Sequence, residues 1–250
     1  MTTDTPTAPT PEGRAPLVGR AHELALLSAA LDESAANEEM RAFLLAADAG
    51  VGKSRLVREA FALARQRGGR FASGGAYEGD SGRPFGPVVD LLRAARRGAT
   101  SEVRAALDAA ASTFADAADA DPAASRWAQI DSVVDAIATA AEGERPLRVI
   151  AFEDLHWADE STLELISNVI RQLELVPVVV LATFRPPSRD ANPLLGFIEA
   201  ARTLPSSERI DLGPIPTTDA EQLVRAAAGE DVSEDAVASI VSRAAGNPLF

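Results

Sequence analysis

The sequence predicts an α/β fold in which helices flank a parallel β-sheet. Short apolar runs alternate with segments whose apolar residues recur every three or four positions, the pattern of chains built from alternating strands and helices. Two runs, 147–152 and 176–184, are almost continuously apolar, which is typical of central strands covered on both faces. A glycine-rich loop also connects the first predicted strand to a helix.

The remaining elements follow from local patterns. RAFLLAA (41–47) predicts the first strand, and the segment 54–65 predicts a helix with apolar residues on one face. RFASGG (70–75) predicts the second strand. A helix is expected between residues 159 and 173, and ERIDL (208–212) predicts the last strand.

Several residues predict where helices begin. Ser161 and Glu164 have the spacing of a capping box, and Thr218 and Glu221 repeat this spacing in the C-terminal part of the chain. Ser233 predicts the N-cap of the last helix, which is expected to end at Gly246.

Residues 99–143 are rich in alanine and poor in strand formers, which predicts an insertion of two helices broken at Asp121-Pro122. In the second helix, four apolar residues fall at helical spacing: Trp127, Ile130, Val134 and Ile137. This stripe could dock a partner, or it could pack onto the sheet or a neighbouring helix. We favour packing, because an apolar stripe on a helix usually faces the core.

Composition excludes several classes of protein. The chain has 250 residues, of which 46% are hydrophobic, and a net charge of −13 with no sustained basic stripe. This negative charge argues against a segment that binds nucleic acid by itself, because such binding needs clustered cations. The absence of cysteine excludes disulfides and thiolate metal sites, and the two distant histidines, His22 and His156, argue against a zinc site.

The first residues, 1–15, are rich in Thr and Pro and lack the apolar segment of a signal peptide, so we expect a disordered tail. No apolar run approaches the ~18 residues that span a bilayer. We therefore expect a cytoplasmic protein with no membrane partner.

The glycine-rich loop is the strongest candidate site. Residues 47–54 read ADAGVGKS and lie between a predicted strand and a predicted helix, the context of the phosphate-binding P-loop, G-x-x-x-x-G-K-[ST]. In such a loop, backbone N–H groups and the helix N-terminus surround phosphate oxygens. The alternative is a surface turn that matches by chance. The candidate nucleotide contacts are Ala47, Asp48, Ala49, Gly50, Val51, Gly52, Lys53, Ser54 and Arg55.

Lys53 supports the P-loop interpretation. It is the only lysine in the chain, whereas the other 23 of the 24 basic side chains are arginine. Lysine ends in a compact ammonium that enters a narrow loop, and arginine ends in a wide planar fork. We expect Lys53 to bridge the β- and γ-phosphates of ATP and the Ser54 hydroxyl to bind Mg²⁺.

Acidic residues follow an apolar strand at Glu153 and Asp154. A P-loop enzyme needs one carboxylate near Mg²⁺ and another that orients the attacking water. The alternative is that these acids are solvated loop residues or helix caps, as Asp159 could be. Arg185 follows the next strand and would face the ligand crevice, where it could contact the γ-phosphate; otherwise it is an ordinary exposed arginine.

The order of motifs resembles that of STAND-class P-loop ATPases, in particular the ATPase module of large LuxR-type, MalT-like bacterial transcriptional regulators. The motifs that carry the resemblance are LVGRAHEL (17–24), the P-loop, AYEGDSGRPFGPVVDLL (76–92), FEDLHWADEST (152–162), LATFR (181–185) and AAGNPLF (244–250).

This resemblance implies an ATP-driven switch with the sheet order 5-1-4-3-2. It implies that Val18, Gly19 and Arg20 line the adenine pocket and that Arg185 is a sensor arginine. It also implies that the segment from Gly246 to Pro248 closes over the nucleotide. By position in the family pattern, Glu153 takes the Mg²⁺ place and Asp154 the water-orienting place. Ala47 replaces the first P-loop glycine, and the acidic pair is Glu-Asp where the family usually has aspartate first.

The expected organisation is a P-loop ATPase core over 16–213, containing the helical insertion, and the beginning of a helical lid over 214–250. Such regulators continue with a winged helix, a helical repeat array and a DNA-binding helix-turn-helix, so we expect a truncated chain that contacts DNA only through a domain it lacks.

The expected function is a nucleotide-switch module of a signal-responsive regulator that binds ATP and ADP, hydrolyses ATP slowly with Mg²⁺ and self-associates through the ATPase module. The alternatives are an AAA+ motor acting in a ring, a STAND module attached to a cyclase or kinase, a P-loop kinase, and a degenerate interaction module that binds no nucleotide.

Overall fold

The structure, a computed structural model, describes residues 17–79, 83–115, 122–187, 192–228 and 232–249. The predicted disordered tail, 1–15, lies outside these ranges. The elements within them are α1 (Ala21–Asn37), β1 (Arg41–Ala46), α2 (Lys53–Gln66), β2 (Arg70–Gly75), α3 (Gly86–Ala95), α4 (Ser101–Ser112), α5 (Pro122–Ala140), β3 (Leu147–Glu153), α6 (Glu160–Gln172), β4 (Val179–Phe184), α7 (Pro193–Arg202), β5 (Ser207–Asp211), α8 (Thr217–Ala228) and α9 (Glu234–Ala244). A 3-10 helix, Leu155–Trp157, follows β3.

The chain forms two compact units. The larger unit runs from His22 to Leu212 and contains the sheet, whereas the smaller unit combines the segment up to Ala21 with the residues from Gly213 onward. In the smaller unit, α8 and α9 pack around an apolar cluster of Ile215, Ala220, Val237 and Val241.

The five strands form one parallel sheet in the order β2-β3-β4-β1-β5. This is the predicted order 5-1-4-3-2, seen from the opposite edge, and the predicted α/β fold is confirmed. Burial follows position in the sheet: every residue of the central strand β4 is buried, while the edge strand β2 alternates buried and half-buried residues. Continuous apolar runs therefore mark the strands that helices cover on both faces.

The predicted strands are all present, with shifts of a few residues at their ends. The largest shift is at β4, which begins at Val179 and not at Val176. Pro177 lies just before it and has no N–H to donate to a neighbouring strand, so pairing starts after the proline.

The helix starts are partly as predicted. Ser233 caps α9, because its hydroxyl accepts a hydrogen bond from the Ala236 N–H at 3.3 Å. The Ser161–Glu164 capping box is wrong, since Asp159 is the N-cap of α6 and accepts from the Thr162 N–H at 2.8 Å.

The second predicted capping box is also wrong, because the helix again begins before the predicted cap. Thr218 and Glu221 both lie inside α8, which begins one residue earlier at Thr217. The carbonyl of Pro216 accepts the first hydrogen bonds of this helix, from the N–H groups of Asp219 and Ala220. Capping residues must precede a helix, so spacing alone placed these caps a residue or two too late.

The insertion contains the two predicted helices, α4 and α5, although Asp121 of the predicted break lies outside the described ranges. Ile130 and Ile137 are buried in the main core, and Val134 packs against it. Trp127 differs, because 56% of its surface is exposed. Three of the four stripe residues therefore pack as expected.

No described helix combines the length and apolarity that crossing a bilayer requires.

Candidate functional site

The predicted site residues of the larger unit lie at one edge of the sheet. In a parallel sheet the carboxyl ends of all strands meet at the same edge. The P-loop follows β1, the acidic pair ends β3, and Arg185 follows β4. The last residues of β1 and β4, Ala46 and Phe184, are paired directly. Strand order therefore brings together three motifs that are far apart in the sequence.

The P-loop turns through two glycines in the left-handed region, Gly50 with φ 82° and Gly52 with φ 110°. A Cβ at Gly52 would meet no atom within 4 Å, so its backbone angle, and not space, requires glycine. Helix α2 begins at the next residue, Lys53. The first N–H groups of a helix have no partner within it, so this terminus offers donors to an anion.

Ala47, the departure from the P-loop pattern, fits the loop. Its φ angle is not in the left-handed region, so alanine adopts this backbone without strain. Its methyl group is buried, and its N–H donates to the carbonyl of Phe184 at 3.2 Å. Alanine in place of the first P-loop glycine therefore does not disturb the loop, which remains hydrogen-bonded to β4.

Lys53 reaches back into the loop. Its Nζ donates to the carbonyl oxygens of Ala47 at 2.7 Å and Asp48 at 3.1 Å, and the side chain is buried. Burial lowers the pKa of Lys53, as does Arg185, whereas Asp154 and Asp48 act in the opposite direction. The ammonium of Lys53 is thus held by the loop, and its contact with phosphates stays a prediction.

Glu153 lies beside Ser54, its predicted partner at magnesium. Burial, followed by the charge of Asp154, raises the pKa of Glu153. Hydrogen bonds from the Ser73 and Ser54 hydroxyls lower it again in part. The last residue of β3 and the second residue of α2 are therefore in contact through side chains.

Asp154 has an unusual backbone with φ 55° and ψ 40°. Its N–H donates to Oγ1 of Thr183 at 2.9 Å, and Thr183 lies near the end of β4. This bond fixes the backbone at a left-handed conformation that a non-glycine residue rarely adopts. The Asp154 side chain remains 46% exposed.

His156 is the site residue that sequence reasoning missed. It lies in the 3-10 helix after Asp154, and its pKa is lowered by burial and by the nearby cations Arg185 and Lys53, while Asp154 raises it. Its position two residues after the acidic pair was a signal that could have identified it.

The predicted adenine and lid residues lie in the smaller unit. Gly19 has φ 68°, and a Cβ there would lie 3.1 Å from the Ile215 side chain. Arg20, two residues after Val18, is buried and donates to the carbonyl of Gly213. The N–H of Ile215 donates to the carbonyl of Gly246 at 2.8 Å.

Both predicted segments of the smaller unit therefore contact the same apolar residue, Ile215, which follows β5 by a few positions. Pro248 lies two residues beyond Gly246 in this unit.

A family model described as the AAA ATPase domain matches residues 16–181. An uncharacterised protein of Rhizobium meliloti (strain 1021) is 26% identical over 192 residues, which cover 68% of this chain and 19% of that protein. The chain thus spans about a fifth of the length of this relative.

Three solved structures share the fold. Drosophila ORC bound to DNA has a TM-score of 0.57 at 13% identity, over 99% of this chain and 60% of that one. Aeropyrum pernix ORC1 in complex with DNA has a TM-score of 0.53 at 16% identity, over 94% and 58%. The replication initiator DnaA bound to AMPPCP and single-stranded DNA has a TM-score of 0.53 at 12% identity, over 92% and 58%.

At these sequence identities the solved structures establish only the fold. The family model covers well over half of the chain and therefore establishes the family. The chain belongs to the AAA ATPase domain family.

Proposed function

We propose that the chain is an ATP-binding switch module that hydrolyses ATP slowly with Mg²⁺ and belongs to a signal-responsive bacterial transcriptional regulator. One observation supports ATP binding most strongly. At the carboxyl edge of the sheet, Lys53 lies near Asp154, and Ser54 lies beside Glu153.

The loop supplies the phosphate contacts. An ammonium has three N–H donors. Two of those on Lys53 bind loop carbonyls, and the third has no partner among the described residues. We infer that this third donor, with the N–H groups at the start of α2, binds the phosphates of ATP.

Mg²⁺ would be held by few protein groups. No described cluster of three or more His, Cys, Asp or Glu side chains could hold a metal ion by itself. The ion would bind the hydroxyl of Ser54, with Glu153 beside it, and take its remaining ligands from phosphate oxygens and water, as magnesium prefers. When bound, it would neutralise charge on the transferred phosphate.

Hydrolysis would depend on two further residues. Asp154 would orient the attacking water, and Arg185 would stabilise negative charge on the γ-phosphate. The aspartate is one methylene shorter than the glutamate common at this position in the resembled family, which supports slow turnover. A slow step suits a switch that must remain in its ATP state.

The two acids provide the test. We expect Asp154→Asn to keep Mg-ATP binding and lose hydrolysis, and Glu153→Gln to weaken the magnesium dependence of ATP affinity. Calorimetric titration of both variants with ATP, with and without Mg²⁺, measures this, alongside phosphate release. The reverse pattern would exchange the two roles, and a wild-type chain that binds no ATP would contradict the proposed function.

The regulator role is supported by the order of motifs that resembles LuxR-type, MalT-like proteins. In that case DNA would be contacted by another domain, and this module would contribute nucleotide binding and self-association. A regulated promoter whose expression changes when Lys53→Ala is introduced into the full-length protein would support this role.

A second candidate is an AAA+ motor acting in a ring, supported by the family and by the fold shared with the replication initiator DnaA. Sedimentation velocity with ATP, ADP and AMPPCP distinguishes the two. A motor predicts ATP-dependent assembly into rings and an activity per chain that rises steeply with concentration, whereas a switch predicts slow turnover that is nearly independent of concentration.

A further inference from the structure

His156 carries two unpaired nitrogens inside the candidate site. Its side chain is 11% exposed, and its ring lies 4.9 Å from that of Trp157, centroid to centroid. Both Nδ1 and Nε2 are buried, and neither has a hydrogen-bond partner in the described part of the chain. An unpaired buried polar group destabilises the folded state, so its presence requires an explanation.

Asp154 is the acidic neighbour of His156. Its Oδ1 lies 3.9 Å from Nδ1 of His156, which is too long for a hydrogen bond. The backbone of Asp154 is held by Thr183, but its side chain is about half exposed and is therefore the part that can rotate. Hydrogen bonds of catalytic groups are often long in the absence of substrate and tighten when it binds.

The other charged neighbours of His156 are cations, so Asp154 is the acceptor among its charged neighbours. Three charged groups act on the pKa of His156, and two of them, Arg185 and Lys53, are cations that accept no hydrogen bond. Burial together with these cations lowers the pKa of His156, so the ring is neutral near pH 7 and carries one N–H. Asp154 is the member of the three that can accept it.

We propose that the Nδ1–H of His156 donates to the Asp154 carboxylate when nucleotide is bound and thereby positions Asp154 toward the attacking water. His156 is then a positioning residue that acts through Asp154. This inference rests on the proposed function, because it assigns a task to the same site.

Three variants test the kinetic consequence. His156→Phe keeps an aromatic ring and removes the N–H, so we expect single-turnover hydrolysis to fall roughly 10- to 100-fold, while ATP affinity stays near wild type and the unfolding midpoint is not lowered. His156→Asn returns an N–H close to the Nδ1 position and should recover most of the rate. His22→Phe makes the same change at the other, exposed histidine and should have no effect.

Nitrogen-15 NMR tests the hydrogen bond without turnover. The chain has two histidines, so the His22 variant assigns the imidazole signals. With Mg²⁺ and AMPPCP, we expect His156 to carry its proton on Nδ1, and Asp154→Ala to remove this preference. A proton on Nε2, or a His156→Phe variant that hydrolyses ATP as wild type does, overturns the inference and leaves the proposed function standing. A wild-type chain that binds no nucleotide overturns both.

Discussion

At the scale of single residues, the site depends on the size of one cation. Lys53 is held between two loop carbonyls, 2.7 and 3.1 Å from its Nζ. A guanidinium is a wider, planar fork, whereas the compact ammonium fits beside the carbonyls of two consecutive loop residues. The choice of lysine, in a chain that otherwise uses arginine, thus has a geometric reason.

We predict that Lys53→Ala weakens ATP binding about 10- to 150-fold, the effect of losing a charge-assisted contact of about 1.5–3 kcal/mol. Lys53→Arg should also bind less tightly. Isothermal titration calorimetry measures both, with circular dichroism to confirm folding. Arg202→Ala, which removes an exposed cation from α7, is the control and should bind as wild type. Wild-type affinity in Lys53→Arg would disprove the size argument.

Glu153 makes stability depend on pH. Burial, and then the charge of Asp154, raises its pKa above the ordinary value of 4.5. A carboxyl with a raised pKa binds its proton more tightly in the folded state. Its stabilising contribution is therefore complete below its unfolded-state pKa and is lost as the pH rises through the folded-state value.

We therefore predict that Glu153→Gln becomes more stable relative to wild type as the pH rises, because the amide never ionises. Urea denaturation of both proteins between about pH 4 and about pH 8 gives the difference in free energy of unfolding at each pH. A difference that stays constant, or that changes in the opposite direction, would show that the Glu153 carboxyl is not destabilised by burial.

At the scale of elements, α3 is fitted closely to the edge of the sheet. A Cβ at Gly74 in β2 would lie against the carbonyl oxygen of Pro87 and 2.8 Å from the backbone nitrogen of Leu91. These are backbone atoms of α3, which cannot move without shifting the helix.

Arg70 joins α3 to the insertion from the other end of β2. It is buried, and its guanidinium donates to the carbonyls of Ala95 at 2.6 Å and Ala140 at 3.1 Å, the last residues of α3 and α5. A cation at two helix C-termini is favoured by both helix dipoles.

We predict that Gly74→Ala lowers the free energy of unfolding by about 1–3 kcal/mol, the usual effect of overpacking. Gly75→Ala is the matched control. Its Cβ would lie 3.7 Å from the nearest atoms, an ordinary contact, so its stability should remain within about 0.5 kcal/mol of wild type. Urea denaturation compares the two, and equal stability would mean that α3 moves freely on β2.

At the scale of the whole molecule, charge limits the partners of this chain. The net charge is −13, and the chain carries 37 acidic against 24 basic side chains. The duplex is a polyanion that binds proteins largely through clustered cations. The structures that share its fold include proteins bound to DNA, but the fold does not carry that property with it.

We predict that the chain alone, with or without ATP, shows no saturable binding to duplex DNA at about 0.15 M salt. Fluorescence anisotropy with labelled duplexes measures this, and the same titration at low salt provides a reference for weak non-specific contact. Nanomolar, sequence-dependent binding would contradict a module that leaves DNA contact to another domain.

The sequence alone determined the features that depend on neighbouring residues. Apolar runs predicted the three inner strands β1, β3 and β4, because burial on both faces excludes polar residues from them. The edge strands β2 and β5 were predicted from short, more polar segments and are less buried. The P-loop was predicted from eight consecutive residues, and the Ser233 cap from its place before α9. Each of these is set by chemistry within a few positions of the chain.

Local patterns predicted helix starts less accurately where several neighbouring residues could serve as the N-cap. Two capping boxes were placed inside helices, at Ser161 and Thr218, since the spacing does not specify which residue ends the preceding loop. Helices α1, α3 and α7 have no counterpart among the predicted elements. Packing against the sheet stabilises such helices more than their own sequence preference does.

Only the tertiary structure decided how the site is assembled. Glu153 meets Ser54 across about a hundred residues, and Thr183 fixes the backbone of Asp154, because β3 and β4 pair side by side. The unpaired state of His156 likewise depends on which side chains surround it. Contacts between distant segments depend on how all the strands and helices pack into one core. No short stretch of sequence therefore encodes them.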